Sequence, residues 1–214
     1  MNIKLVDARA DHAPFVAWAI LTAFRSHLEK GLWDFFVDGP NEECLRFLEA
    51  LAATDSRHWG NYDRFLVAEA DSRPVATLCG YFANECDGPA TSKGADEAAH
   101  KLGWTDDRIA ASRQRVMSLA YVQLEREPGS WIVEAVATLP EFRRMGLNDR
   151  LLAGVLERGR QRGATTAEVS VLIGNEPAQR SYEKAGFTVV AEARHPEFEA
   201  LYECPGIRLL RRPV

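Results

Sequence analysis

The segment EAVATLPEFRRMGLNDRLL, Glu134 to Leu152, joins two periodicities and decides the fold. Trp131 to Leu139 is an apolar, β-branched run ending at Pro140, the pattern of a buried strand with one conspicuous charge, Glu134. Leu147, Leu151, Leu152, Val155 and Leu156 then recur at helical spacing, and Gly159 and Gly163 help to end that helix. Between strand and helix the backbone must turn sharply through Arg143, Arg144, Met145, Gly146, Leu147 and Asn148. Successive N–H groups at such a corner, aimed by the positive end of the following helix, form a concave donor site for a pyrophosphate. Gly146 leaves room for the ligand, and Arg143 and Arg144 add positive charge. An ordinary strand-to-helix connection is the other reading of this corner. Neither G-x-x-x-x-G-K-[ST] nor G-x-G-x-x-G occurs in the chain.

Working outward, Thr166 to Ile173 reads as a second buried strand, and Asn175 can cap a helix running to Ala185. Pro177 is tolerated in its first turn and Gly186 supplies the left-handed residue after it. Phe187 to Ala193 and Ile207 to Arg211 read as closing strands joined by HPEFEALYECPG. Toward the N-terminus, Phe15, Val16, Ile20, Ala23, Phe24 and Leu28 mark an amphipathic helix from Pro14 to Leu28. Cys44, Leu45, Leu48, Leu51 and Ala52 mark another, with Asn41 as its cap. Arg64 to Ala70 and Pro74 to Phe82 form an antiparallel strand pair about Asp71-Ser72-Arg73. From 84 to 128 a polar, Gly-containing stretch precedes a helix expected from Asp106 to about Leu124. We read 1–214 as a single α/β domain with a mixed sheet and a helical insertion at about 84–128.

The 46% hydrophobic and 27% charged fractions suit a globular chain, and a net charge of -5 supplies no general attraction for nucleic acid or anionic lipid. No apolar run approaches the roughly 20 residues that span a bilayer. The opening MNIKLVDARADHAP lacks the apolar stretch of a signal peptide, so a cytoplasmic location is expected. Cys44, Cys79, Cys86 and Cys204 are scattered and read as reduced packing thiols; with His58, His100 and His195 in loop-like contexts, no metal site is expected.

The corner LPEFRRMGLNDRLL resembles the acyl-CoA-binding motif R-x-x-G-x-G/A of the GNAT superfamily of N-acyltransferases, and NEPAQRSYEKAGF resembles that family's N-x-x-A-x-x-x-Y-x-x-x-G-F. The two motifs stand in the family's order, and the resemblance is clear from about Trp131 to Phe187. It implies a mostly antiparallel central sheet flanked by helices, with two parallel strands splayed at the coenzyme site. It implies acetyl-CoA as acyl donor, with Val136, Ala137 and Thr138 offering a strand edge to the pantetheine arm, Arg143 to Asn148 holding the diphosphate, and Asn175 and Ala178 lining the thiol end. Asn148 stands where the family usually has Gly or Ala, so a side chain must be accommodated beside the diphosphate.

Tyr182 shares one side of its helix with Asn175 and Ala178 and is expected to protonate the departing sulfur; without the motif it would read as a core aromatic. Glu134 is the leading general base, because an isolated carboxylate in an apolar strand is costly unless used or paired. On a regular pleat it shares a face with Ile132, Val136 and Thr138. A structural ion pair is the other reading, and Tyr81, Glu85, Glu125 and Glu127 are weaker alternatives for the base. The expected reaction is direct attack of a neutral primary amine on the thioester in a ternary complex, with a strand amide near Ala137 polarising the carbonyl.

The expected acceptor is a small-molecule amine or a peptide or protein amine. Glu85, Asp87, Asp106, Asp107, Glu125 and Glu127 offer attraction for a cationic one, against the reading of a solvated face; Trp18, Phe24, Trp33, Phe35 and Phe36 read as core. The resemblance also makes a homodimer an expectation. A noncatalytic acyl-CoA-binding regulatory module and a nucleotide-binding protein are the competing classes.

Overall fold

The computed structural model describes residues 2–86 and 88–214. Its strands are β1 (Ile3–Asp7), β2 (Phe65–Ala70), β3 (Arg73–Phe82), β4 (Trp131–Thr138), β5 (Thr166–Leu172), β6 (Thr188–Arg194) and β7 (Gly206–Pro213). They form one seven-stranded sheet in the order β1-β2-β3-β4-β5-β7-β6. Every neighbouring pair is antiparallel except β4 and β5. The helices are α1 (Ala13–Arg25), α2 (Leu32–Val37), α3 (Asn41–Ala52), α4 (Gly88–Lys101), α5 (Asp106–Arg115), α6 (Leu147–Gln161), α7 (Glu176–Lys184) and α8 (Pro196–Tyr202).

Asp71 and Ser72, at φ 48° and 69°, close the β2–β3 hairpin as a two-residue turn whose twist matches the strands, and Arg73 already belongs to β3. One face of the sheet packs Phe65, Val67 and Ile132 against Val16 and Ile20 of α1 and Phe47, Leu48 and Leu51 of α3. The other packs Leu78, Trp131 and Val133 against Leu151, Leu152 and Val155 of α6. Helical spacing thus reports the buried stripe of α6 faithfully; in α1 it does so at Val16 and Ile20, while Phe15, Ala23 and Phe24 are only half-buried and the helix ends at Arg25, leaving Leu28 outside it.

Several elements differ from the sequence expectation. The short strand β1 and the six-residue α2 carry too few residues to show a period. The chain between β6 and β7 contains α8, and β7 inserts between β5 and β6. The polar stretch after Cys86 is helix α4, whose buried residues are small: Gly94, Ala95, Ala98 and Ala99. Close approach fixes it: a Cβ on Gly94 would stand 2.2 Å from His58 Cδ2. The Glu97 carboxylate accepts the Asp55 and Ser56 N–H groups at 2.7 and 3.1 Å. Tertiary contacts here override weak helix propensity. The expected helix to Leu124 stops at Arg115, whose guanidinium turns aside to donate to the Phe35 and Phe36 carbonyls at 2.8 and 3.0 Å; Met117–Val122 continues as tighter 3-10 turns.

His58 is fully buried, accepts the Gly60 N–H on Nδ1 at 3.0 Å and lies 2.8 Å from Thr54 Oγ1 through Nε2. That arrangement holds a neutral ring protonated on Nε2, and burial lowers its pKa from 6.5 to about 4. The unfolded chain therefore takes up the proton first. The stability present above about pH 6.5 declines by about 1.4 kcal/mol per pH unit as pH falls toward 4, a loss on the order of 3 kcal/mol. Urea unfolding at pH 7 and pH 4 measures it directly, and equal free energies at the two values contradict a buried neutral His58.

Candidate active site

β4 and β5 pair only at their starts, Trp131 opposite Ala167 and Ile132 opposite Glu168. Beyond that point β4 stays with β3 and β5 stays with β7, so the two parallel strands diverge. A bulge accompanies the divergence: the β3–β4 register slips between Thr77 and Cys79, and Ala135 adopts φ 52°. The extra residue also reverses the pleat. Ile132 and Ala135 face the α1 side, whereas Val136 packs toward the α6 side, so the regular-pleat expectation that Glu134, Val136 and Thr138 share a face is corrected.

At the strand-to-helix corner Arg144 and Gly146 both take left-handed backbone, φ 64° and 72°. Among the described residues none accepts a hydrogen bond from the backbone N–H groups of Arg144, Met145, Gly146, Leu147 or Asn148. Gly146 precedes the first residue of α6, and a Cβ built on it meets no atom within 4 Å. Arg144, Gly146, Leu147 and Asn148 border a hollow of about 410 Å³ shared with Thr138, Arg143 and Lys184. Free donors, a helix N-terminus and basic side chains suit an anion. Asn148 does not plug the hollow with its amide: Nδ2 donates to Ser181 Oγ at 3.0 Å, drawing the side chain toward α7. Lys184, which the sequence reading did not single out, pairs with Asp149 at 2.9 Å on the same rim.

The divergence of β4 and β5 opens onto a second hollow of about 740 Å³ that brings together Glu134, Val136, Asn175, Ala178 and Tyr182. Ala137 lies farther along β4, opposite Thr77. Asn175 is spent on structure: Oδ1 caps α7 by accepting the Ala178 N–H at 3.2 Å, and Nδ2 donates to Ser26 Oγ at 2.5 Å. That bond ties the end of α1 to the start of α7. Glu134 accepts the Tyr81 hydroxyl at 2.7 Å. Burial pushes the Glu134 pKa above the ordinary carboxylate value, opposed by the charge of Arg126 and by the Tyr81 bond. Tyr182 packs edge-on to Phe187, and burial, reinforced by the Glu134 charge, raises its pKa. Both groups on this wall thus hold their protons more tightly than an ordinary carboxyl and an ordinary phenol do.

Among the other acids, Glu85 pairs with Arg64 and Arg162, Asp106 with His100, and Glu127 with Arg211; Asp107 and Glu125 are exposed. Asp87 lies outside the described residues. Cys79 is fully buried and its thiol is pushed well up by burial, which leaves it unfit as a nucleophile. Among the described residues no group of three or more His, Cys, Asp or Glu side chains is placed to hold a metal ion. No helix among them is long and apolar enough to cross a membrane. Arg126 was not singled out from sequence, yet it lines the larger hollow and donates to Ser170 Oγ at 3.0 Å.

Splayed parallel strands, a bulged central strand and a donor-rich helix start define the frame of an acyltransferase. The acetyltransferase (GNAT) family model matches residues 26–187, and the chain belongs to that family. No curated protein sequence matches it. Among solved structures, it superposes on an acetyltransferase with TM-score 0.71 at 18% identity, covering 99% of each chain. It superposes on an N-acetyltransferase from Staphylococcus aureus Mu50 with TM-score 0.67 at 19% identity, covering 98% of this chain and 100% of that one. A third is the PaiA N-acetyltransferase from Thermoplasma acidophilum, solved with coenzyme A, with TM-score 0.55 at 10% identity over 100% of both chains. These likenesses are of fold; the family membership makes acyl transfer the activity class.

Proposed function

We propose that the chain transfers an acetyl group from acetyl-CoA to a primary amine by direct attack in a ternary complex, within a single domain spanning 1–214. The observation that carries this reading is the row of N–H groups from Arg144 to Asn148 at the head of α6 that have no partner among the described residues, one strand-end away from Glu134 and Tyr182 on the wall of the larger hollow. Those amides, with Arg143, Arg144 and Lys184, receive the coenzyme's diphosphate. The free edge of β4 from Val136 to Thr138 receives the amides of its arm.

Glu134 takes the proton of the incoming ammonium directly or through a water. The nitrogen lone pair then forms the C–N bond to the thioester carbon, whose oxygen a β4 amide near Ala137 polarises. The C–S bond breaks with its electron pair on sulfur. Tyr182 gives that sulfur its proton and is refilled by the proton the new amide nitrogen sheds. The products are an amide and the free thiol, with one net proton to solvent, and no covalent enzyme intermediate is involved. The segment 84–128, which contributes Cys86, Thr91, Ala95, Val116 and Arg126 to the larger hollow, is the acceptor-side addition to the domain.

The test is calorimetric titration with CoA and acetyl-CoA, followed by thiol release across amine classes. Binding without turnover on any amine leaves only a coenzyme-binding module. Gly146→Asp checks the corner: the residue must hold φ 72° and its carboxylate would stand among the diphosphate donors. Strain of roughly 1–2 kcal/mol and like-charge repulsion should raise the CoA dissociation constant more than tenfold. An unchanged constant places the diphosphate elsewhere.

A further inference from the structure

The larger hollow holds far more than an acetyl unit. Its volume of about 740 Å³ lies in the range of sites that enclose a drug-sized molecule. From the Glu134–Tyr81 pair the wall continues into a cluster of rings: Phe24 stacks on Trp59 with centroids 5.3 Å apart, Trp33 lies edge-on to Phe24 at 6.0 Å, and Phe36 lies edge-on to Trp33 at 5.7 Å. Sequence alone assigns Phe24, Trp33 and Phe36 to the core; Trp33, Phe36 and Trp59 are indeed buried and turn only a small part of each ring to the hollow, while the half-buried Phe24 shows it more.

Charge on the wall narrows the occupant. Glu134 is the one carboxylate among the described residues that border the hollow, and the two described cations there are Arg113 and Arg126. Arg113 is neutralised by Asp96 at 2.5 Å. Among the described residues Arg126 donates no hydrogen bond through Nη1 but lies 3.9 Å from the buried Glu168 carboxylate, and its charge also reaches Glu134 and Tyr81. A polyamine, an aminoglycoside or an extended basic peptide would bring several cations to a wall that offers, among the described residues, one carboxylate, already engaged as the base. A flat apolar body suits the ring wall, where stacked and edge-on contacts favour aromatic partners.

Resting on the acyl-transfer reading above, we propose that the acceptor is a primary amine carried on an aromatic body, its nitrogen at Glu134 and its ring against Phe24, where the buried cluster of Trp33, Phe36 and Trp59 meets the hollow. The transfer is the balanced step already given, with the aromatic amine as nucleophile and its acetamide as product.

The test has two independent readouts on the full chain. With saturating acetyl-CoA, kcat/KM is measured for tryptamine, tyramine and 2-phenylethylamine against spermidine, an aminoglycoside and a lysine-containing peptide. With CoA bound, tryptamine binding is followed by calorimetry. Aromatic amines should lead the cations by about 100-fold, the gain of burying a ring rather than leaving it in water. Ser92→Trp, an exposed α4 position on the cavity rim, and Phe24→Ala should each lower the tryptamine-to-ethylamine ratio of kcat/KM about tenfold. Tryptamine binding with no amine acetylated leaves the cavity assignment standing and brings down the acyl-transfer reading. Preferred acetylation of spermidine or the peptide, with tryptamine neither bound nor turned over, overturns the aromatic assignment and leaves acyl transfer intact.

Discussion

Tyr182→Phe should lower kcat by about 10²- to 10⁴-fold, the usual contribution of a positioned general acid, while the affinity for CoA stays within a factor of two or three of the parent. The substitution removes one oxygen and keeps the ring that packs edge-on to Phe187, so α7 stays docked. No described residue depends on the Tyr182 hydroxyl for a hydrogen bond, which makes the change structurally mild. The raised pKa matters to the argument. A phenol that holds its proton through neutral pH is useless as a base and suited to meeting a thiolate as it forms. If kcat falls less than threefold under conditions where chemistry limits the rate, the sulfur takes its proton from water and Tyr182 is a packing residue.

The corner at Arg143 to Asn148 was legible in the sequence because both of its signals are local: a strand pattern ending at Pro140, and a helical stripe starting at Leu147 with a glycine before it. Tyr182, Ala178 and Asn175 were legible for the same reason, since helical spacing fixes which side chains lie together. The bulge at Ala135 was not. Nothing in Glu-Ala-Val-Ala-Thr distinguishes a bulged strand from a flat one; the extra residue shows only as a register slip against β3, a strand more than fifty residues earlier. The wall of the larger hollow was hidden in the same way. Phe24, Trp33 and Phe36 carry a core signature, and whether a buried ring faces packed atoms or a void is decided by α4, an element whose helix rests on the Gly94–His58 fit and the Glu97 bonds rather than on propensity. Arg126 follows a stretch without regular period, and its part emerges only when Ser170 and Glu134 come from distant strands to meet it.

Glu134→Gln should separate activity from stability in opposite directions. The amide keeps the shape of the carboxyl and still accepts the Tyr81 hydroxyl, now at 2.7 Å from Oε2, but it cannot take a proton, so turnover should fall by about 10²- to 10⁴-fold. Its stability follows from linkage. The folded protein holds the Glu134 proton more tightly than the unfolded chain does, because burial raises the folded pKa above 4.5. The fold therefore loses stability as pH rises from about 4.5 through the raised folded value, and above it a buried charge persists that the glutamine variant lacks. At pH 8 the variant should be at least as stable as the parent to urea; below pH 4.5, where both side chains are neutral, any advantage disappears. The acid limb of the parent's pH–rate profile should sit above the ordinary carboxylate range and be absent from the variant's residual rate. A glutamine variant that is fully active at pH 8 moves the base to another group or to bulk water, and one that is less stable at pH 8 assigns Glu134 to an ion pair with Arg126 instead.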